Sequence, residues 1–92
     1  SGEWVTETLD AMNNTGWDTS LLERGGVIHI TYVSSNPRGD LRYAARDASG
    51  WTTSSISASS SYSVNSLRFD PAGKLAVSFK QTNNALAVAR CD

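Results

Sequence analysis

The sequence predicts an all-β fold made of two copies of one unit. Trp4 recurs as Trp51 and Gly26 recurs as Gly73, both 47 residues later, and segment 27–32 recurs as 74–79. Ser, Thr and Asn are abundant, and no window keeps the 3.6-residue apolar spacing of an amphipathic helix. A repeat of this length is typical of blades or solenoid units. We expect a single unit over 1–92, with repeats at about 2–48 and 49–92.

Each repeat is predicted to contain four short strands. Segments 27–33 and 74–80 are rich in β-branched and aromatic residues and are bounded by Gly, Asn or Pro. In 41–46 the residues alternate, which places Arg42 and Arg46 on the face opposite Leu41. The remaining strands follow from the match between the two copies. The predicted strands are 4–9, 18–23, 27–33, 41–46, 51–57, 65–69, 74–80 and 85–90.

Four-stranded units at this interval resemble the blades of β-propellers, rings of about four to eight blades. The motifs that carry the resemblance are Gly16 followed by Ser20-Leu21, the strand His29-Ile30-Thr31-Tyr32 after Gly26, and Gly39-Asp40-Leu41. They are similar to a bacterial propeller repeat that is frequent in secreted and cell-surface proteins. Segment 47–52 also resembles the Asp-box hairpin of sialidase-like blades. The resemblance implies inner strands at 20–22 and 66–69 and outer strands that begin at Trp4 and Trp51.

Two blades cannot close a ring, so the resemblance implies a cyclic homo-oligomer. We expect strand 4–9 of one chain to complete the blade that 85–90 of another chain leaves with three strands. Asp47 reaches Trp51 in four steps, and Asp92 would reach Trp4 of the next chain in four. Three chains would give six blades, which we favour, and four would give eight. The expected assembly residues are Trp4, Val5, Leu9, Trp51, Leu86, Val88 and Cys91. The alternative is a piece of a longer propeller.

Composition and motifs argue against several other functions. A net charge of −1 gives no electrostatic case for nucleic acid or an anionic membrane, and no apolar run is long enough to insert in a membrane. With one His and one Cys we expect no metal, no cofactor and no internal disulfide. His29 corresponds to Ala76, which favours a packed histidine over a catalytic base. No Gly-x-Ser-x-Gly motif occurs, and we predict no enzyme activity.

Binding is therefore the predicted class of function. In a propeller the loops after the outer strand and between the second and third strands share one end of the ring. Here those loops combine amides and carboxylates with aromatic rings, which suits neutral sugars. The candidate ligand-binding residues are Asn13, Asn14, Trp17, Asp18, Asn36, Arg38, Asp40, Tyr62, Asn65, Asn83 and Asn84.

The analogy for such a function is architectural. In length and repeat count the chain resembles small bacterial lectins whose two-blade chains trimerise into six-bladed fucose-binding rings. The identity of the sugar does not carry over. Two alternatives stay open: the Asn-rich loops are ordinary turns, and the chain is a purely structural, designed or excised propeller unit whose activity is self-assembly.

Overall fold

The computed structural model of the chain describes residues 2, 4–11, 16–34, 40–57, 65–81 and 85–91. Its strands are β1 (Trp17–Arg24), β2 (Val27–Ser34), β3 (Asp40–Asp47), β4 (Gly50–Ser57), β5 (Ser66–Phe69), β6 (Leu75–Lys80) and β7 (Leu86–Arg90). They form two antiparallel sheets, ordered β1-β2-β3-β4 and β5-β6-β7. These residues contain no helix, and so none that could cross a membrane. The all-β prediction is confirmed.

Seven of the eight predicted strands lie within one residue of their predicted bounds at each end. The eighth, 4–9, is not a strand in the single chain: residues 4–11 have no regular secondary structure. A strand needs a hydrogen-bonded neighbour, and no described strand pairs with this segment. We call residues 4–11 the N-terminal arm.

Short turns join the strands at one end of each sheet. Gly25 and Gly26, with φ of 62° and 84°, link β1 to β2, and this left-handed pair is the geometry of a type I′ hairpin. In the turn from β3 to β4, Asp47 Oδ1 accepts hydrogen bonds from the Ser49 amide at 2.8 Å and the Ser49 hydroxyl at 2.7 Å. These bonds lower the pKa of Asp47. The carboxylate therefore serves as a turn cap.

The two sheets share one pairing register. Corresponding pairs are Leu21–Ile30 with Leu67–Val77, Tyr32–Arg42 with Phe79–Ala87, and Val33–Leu41 with Lys80–Leu86. The repeat seen in the sequence is thus a structural repeat for three strands, β1 to β3 and β5 to β7. Because side chains alternate along a strand, each residue of one sheet lies on the same face as its counterpart in the other.

The core lies between the two sheets, which contact each other through faces that do not correspond in the repeat. The front face of a sheet is defined here by Leu67, Val77 and Phe79 in the three-stranded sheet and by their counterparts Leu21, Ile30 and Tyr32 in the four-stranded one. The opposite face is the back face. In the core, the front of the three-stranded sheet packs on Val33 and Leu41, at the back of the four-stranded sheet, and both residues are fully buried. The two repeats therefore pack front to back.

Polar contacts between the sheets set their relative direction. The Thr31 hydroxyl donates to Asn65 Oδ1 at 2.6 Å at one end of the interface. At the other end the Arg24 guanidinium lies 4.6 Å from the centre of the Phe69 ring. Because β1 and β5 also lie side by side, with the Leu67 amide donating to Ser20 Oγ at 3.3 Å, the two sheets point the same way.

Candidate functional site

The long connections all leave the two sheets at one end. The ends of β2, β4 and β6 and the starts of β3, β5 and β7 lie there, opposite the short hairpin turns. Trp17 and Asp18 begin β1 at this same end. Seven of the predicted ligand-binding residues lie in the connections, outside the described residues: Asn13, Asn14, Asn36, Arg38, Tyr62, Asn83 and Asn84.

Two predicted ligand-binding residues, Asp40 and Asn65, already have partners within the chain. Asp40 accepts hydrogen bonds from Arg42 Nη1 at 3.1 Å and from the Ser55 hydroxyl at 2.6 Å. Asn65 is buried and accepts the hydroxyl of Thr31. These contacts give both residues a packing role at the end of the sheets that carries the long connections.

The N-terminal arm lies on the front face of the four-stranded sheet. Asp10 Oδ2 accepts the Tyr32 hydroxyl at 2.7 Å and the Arg42 Nε at 3.3 Å. Glu7 Oε2 accepts the indole N–H of Trp51 at 3.2 Å. Burial, and then the bond to Asp10, raises the pKa of Tyr32, so the hydroxyl stays protonated as the donor. The arm is thus held by two carboxylates that reach the same face.

The arm also repeats the position of β4. By the 47-residue interval Leu9 corresponds to Ile56. Ile56 packs against the core that contains Leu67 and Val77, on the front of the three-stranded sheet. Leu9 lines a cavity of about 350 Å³ with the counterparts of those two residues, Leu21 and Ile30. The arm therefore lies against one sheet as β4 lies against the other.

Differences between the repeats support this correspondence. The front face has Tyr32 and Arg42 in the first repeat, where the second has apolar Phe79 and Ala87. The segment that covers each front face differs in the same way. Glu7 and Asp10 of the arm, which cover the polar face, correspond to the uncharged Ser54 and Ser57 of β4. The strand pattern alone does not predict these contacts. Comparing the polar residues of the two copies position by position would have revealed them.

The three-stranded sheet has an open edge along β7. No strand in the described part of the chain pairs on the far side of β7. Next to this edge a cavity of about 180 Å³ opens between the sheets, lined by residues that include Tyr43, Ile56, Leu75, Ala89 and Cys91. Cys91 is exposed there. The cavity lies where a fourth strand would cover the back of the four-stranded sheet.

The predicted assembly residues divide into two groups. Four are exposed in the single chain, Trp4 by 98%, Val5 by 88%, Leu86 by 82% and Val88 by 60%, and Cys91 is exposed as well. Leu9 and Trp51 are half-buried by the contacts of the arm. Large apolar side chains this exposed are typical of interaction surfaces.

His29 lies in the interface between the sheets. Its Nδ1 is 2.7 Å from the Tyr43 hydroxyl, and its ring packs edge-on against Phe69. Burial lowers the pKa of His29, because the charged imidazolium is disfavoured between the sheets. Within the described residues, no three His, Cys, Asp or Glu side chains come together as a metal site. The contacts of His29 are those of a packing residue.

Comparisons with protein-family models, with curated proteins and with solved structures find no match for this chain.

Proposed function

We propose that this chain is a self-assembling unit of a β-propeller. The front face of its four-stranded sheet receives the back face of the three-stranded sheet of another copy. The observation that carries the proposal is the front-to-back packing of the two repeats within one chain. Among the described strands, that packing leaves one front face and one back face without a sheet partner, and these are the counterparts of the two faces that form the core.

Surface chemistry supports the pairing of these two faces. Leu21 is 64% exposed on the front face, and Leu86 and Val88 are exposed on the back face. The back face carries three basic residues, Arg68, Lys80 and Arg90, and one of them, Arg90, forms an ion pair with Asp70 at 3.6 Å. The front face and the arm carry four acidic ones, Glu7, Asp10, Glu23 and Asp40, together with Arg42 and Arg46. The surfaces are therefore both apolar in part and opposite in net charge.

The arm supplies the strand that the three-stranded sheet of the neighbouring copy lacks. It already lies over the front face, where that sheet would dock, so pairing with β7 needs no large movement of the arm. Contacts between unlike faces close when the rotation between copies divides a circle. We favour three copies, which make a six-bladed ring, over four copies and eight blades.

The mass of the native particle tests the assembly. Native mass spectrometry, with light scattering across a dilution series, should give three times the 9.9-kDa chain mass and a single closed species. Four chains would keep the ring and change the number of blades. A monomer at all concentrations would contradict the proposal and leave the interpretation as a piece of a longer propeller. An open-ended series of larger species would contradict closure.

Binding of carbohydrate at the loop end is a second candidate function. The observation that favours it is the shared end of the long connections, because a ring would repeat that loop surface once per chain. Repetition raises the avidity of a weak site. A glycan array followed by calorimetry tests this function. Saturable binding that is lost in Trp17→Ala but kept in Trp17→Phe, which retains an aromatic ring, supports it. No binding to any glycan on the array favours a purely structural ring.

A further inference from the structure

We infer that Trp4 of a neighbouring copy fills the cavity at the open edge of the three-stranded sheet and lies opposite Cys91. This inference rests on the proposed assembly and names the residue that anchors it. The partner is a second copy of the chain, and the site is incomplete without it.

The pairing register identifies the residue. In the four-stranded sheet Arg46 of β3 pairs with Trp51 of β4. Cys91 corresponds to Arg46 in the shared register, and Trp4 corresponds to Trp51 by the 47-residue interval. The Cys91 amide donates to the Leu75 carbonyl at 2.9 Å, so pairing with the β6 side of the sheet extends to Cys91. An arm added along β7 in the same register therefore places Trp4 opposite Cys91.

Strand alternation identifies the direction of the side chain. Glu7 and Leu9 of the arm face the four-stranded sheet of their own chain, where they meet Trp51 and line the cavity beside Leu21. In β4, Ser54 pairs with Tyr43 at the back of the four-stranded sheet, whereas Trp51 pairs with Arg46 at its front. Trp51 and Ser54 are the counterparts of Trp4 and Glu7, so when the arm pairs as β4 does, Trp4 faces away from the sheet that Glu7 contacts. Away from its own sheet means toward the interior of the neighbouring copy. The exposure of the indole in the single chain, 98%, agrees with this direction.

The cavity in that copy has the chemistry of an indole site. Its lining is predominantly apolar, with Leu75 and Ala89 on one sheet and Ile56 and Tyr43 on the other. Tryptophan buries a large apolar area and is enriched among residues that dominate interface energies. One Trp4 in each interface would therefore contribute a central part of the assembly energy.

A disulfide between Trp4→Cys and the native Cys91 tests the register. Directly paired residues on antiparallel strands are about 4.5 to 5.5 Å apart at Cα, within the range that a disulfide spans. The variants are oxidised mildly at a concentration where light scattering shows that each is assembled, because loss of the indole weakens assembly. Disulfides should then link each chain to the next, and non-reducing electrophoresis should show dimers and then the full ring. The matched control is Val5→Cys, whose thiol would face the other side of the sheet. A second control is Trp4→Cys with Cys91→Ala.

The reactivity of Cys91 gives a second measurement that needs no variant. In the assembled wild-type protein, a thiol reagent should modify Cys91 at least about tenfold more slowly than in the unfolded chain, because Trp4 covers it. Trp4→Ala should restore fast modification and raise the concentration needed for assembly by at least about tenfold.

The outcomes separate the inference from the proposed function. A monomeric wild-type protein would overturn both. An assembled protein in which Trp4→Cys links no better than Val5→Cys, and in which Cys91 reacts at the unfolded rate, overturns the Trp4 site and leaves the assembly standing. Selective linkage of Trp4→Cys, with a protected Cys91 in the wild type, establishes the site.

Discussion

The pair formed by Thr31 and Asn65 is a buried polar contact between the sheets. Thr31 is 0% exposed and Asn65 5% exposed, and their side chains are joined by a 2.6 Å hydrogen bond. A buried polar group that loses its partner keeps the cost of desolvation. The contact therefore helps to fix how the two repeats align.

Substituting one partner of this contact should destabilise the fold. Thr31→Val keeps the shape of the side chain but removes the donor to Asn65, and we expect a loss of about 1–3 kcal/mol in the free energy of unfolding. Chemical denaturation followed by circular dichroism measures it. The control is Thr53→Val on exposed β4, which should change stability by less than about 0.5 kcal/mol. Equal effects at the two positions would contradict the structural role of the hydrogen bond.

His29 should make stability depend on pH. Burial lowers the pKa of His29 below the ordinary value of 6.5, so the fold favours the neutral ring and the unfolded chain binds the proton more readily. The stabilisation is complete above pH 6.5 and is lost as the pH falls through that value toward the folded pKa. The nearest groups are the Tyr43 hydroxyl and the Phe69 ring, over which the Arg24 cation lies.

A melting series between about pH 7.5 and 5.5 checks this dependence. The wild type should lose melting temperature on acidification, and His29→Ala, which copies Ala76 of the second repeat, should lose less. The carboxylates are the same in both proteins, so the difference between the two series isolates His29. Parallel series would show that His29 does not carry the dependence.

At the scale of the element, the sequence was enough to locate the strands. The Gly25-Gly26 pair and the β-branched runs around it predict the first hairpin to within one residue. The prediction for 4–9 differs from the single chain for a physical reason: its apolar and polar residues suit a strand, but a strand also needs a partner. The residue pattern shows that a segment is able to form a strand, but the strand forms only where a neighbouring strand is available for hydrogen bonding.

The faces that pack together could not be predicted from the pattern. Leu41 and Leu86 are corresponding residues in the two repeats, yet Leu41 is fully buried and Leu86 is 82% exposed. The alternation of side chains along a strand places both residues on the back of a sheet. It does not predict which of the two back faces is covered by the other sheet of the same chain. The same limit applies to the candidate site. The order of strands and turns in the sequence predicts that β2, β4 and β6 end on the same side, whereas the contacts of Asp10 with Tyr32 and Arg42 are tertiary.

A charge on the exposed back of the three-stranded sheet should block assembly. Val88 is 60% exposed in the single chain, so Val88→Glu should change its stability little. In the proposed ring the same residue is covered by the front face of another copy, and a buried carboxylate without a partner is costly. We expect the assembled fraction to fall by at least about tenfold, measured by light scattering.

The matched control for Val88→Glu is Ala72→Glu, which adds the same charge in an exposed turn away from both faces. The Ala72→Glu protein should assemble as the wild type does. Comparable loss in both variants would point to net charge, and assembly of Val88→Glu at wild-type concentrations would remove the back face from the interface.

For the whole molecule, the proposed role of the arm is to connect one copy to the next. It contacts its own front face through Glu7 and Asp10, while its other side and the indole of Trp4 remain open. In the proposed ring the arm therefore belongs to two chains at once. Its removal affects both the missing strand of one chain and the cover over the front face of the other.

Deletion of residues 1–10 should abolish assembly and leave both sheets folded, because β1 to β7 lie outside the deletion. Native mass spectrometry should then show monomer at concentrations where the wild type is fully assembled, and circular dichroism should keep its strand signal. The control is deletion of residues 1–3, which retains Trp4 and should preserve the particle. An intact ring formed by the longer deletion would refute the proposed role of the arm.

The front-to-back packing makes the two free surfaces of each chain different, which has a consequence for mixed populations. A chain with a spoiled back face, such as Val88→Glu, still offers a normal front face and can recruit one wild-type neighbour. The resulting pair has a back face that no further chain can bind, so the ring cannot close. A closed ring needs three wild-type chains, so the yield of closed rings would fall as the third power of the wild-type fraction. A minority of defective copies would therefore lower the yield of rings by more than its own share.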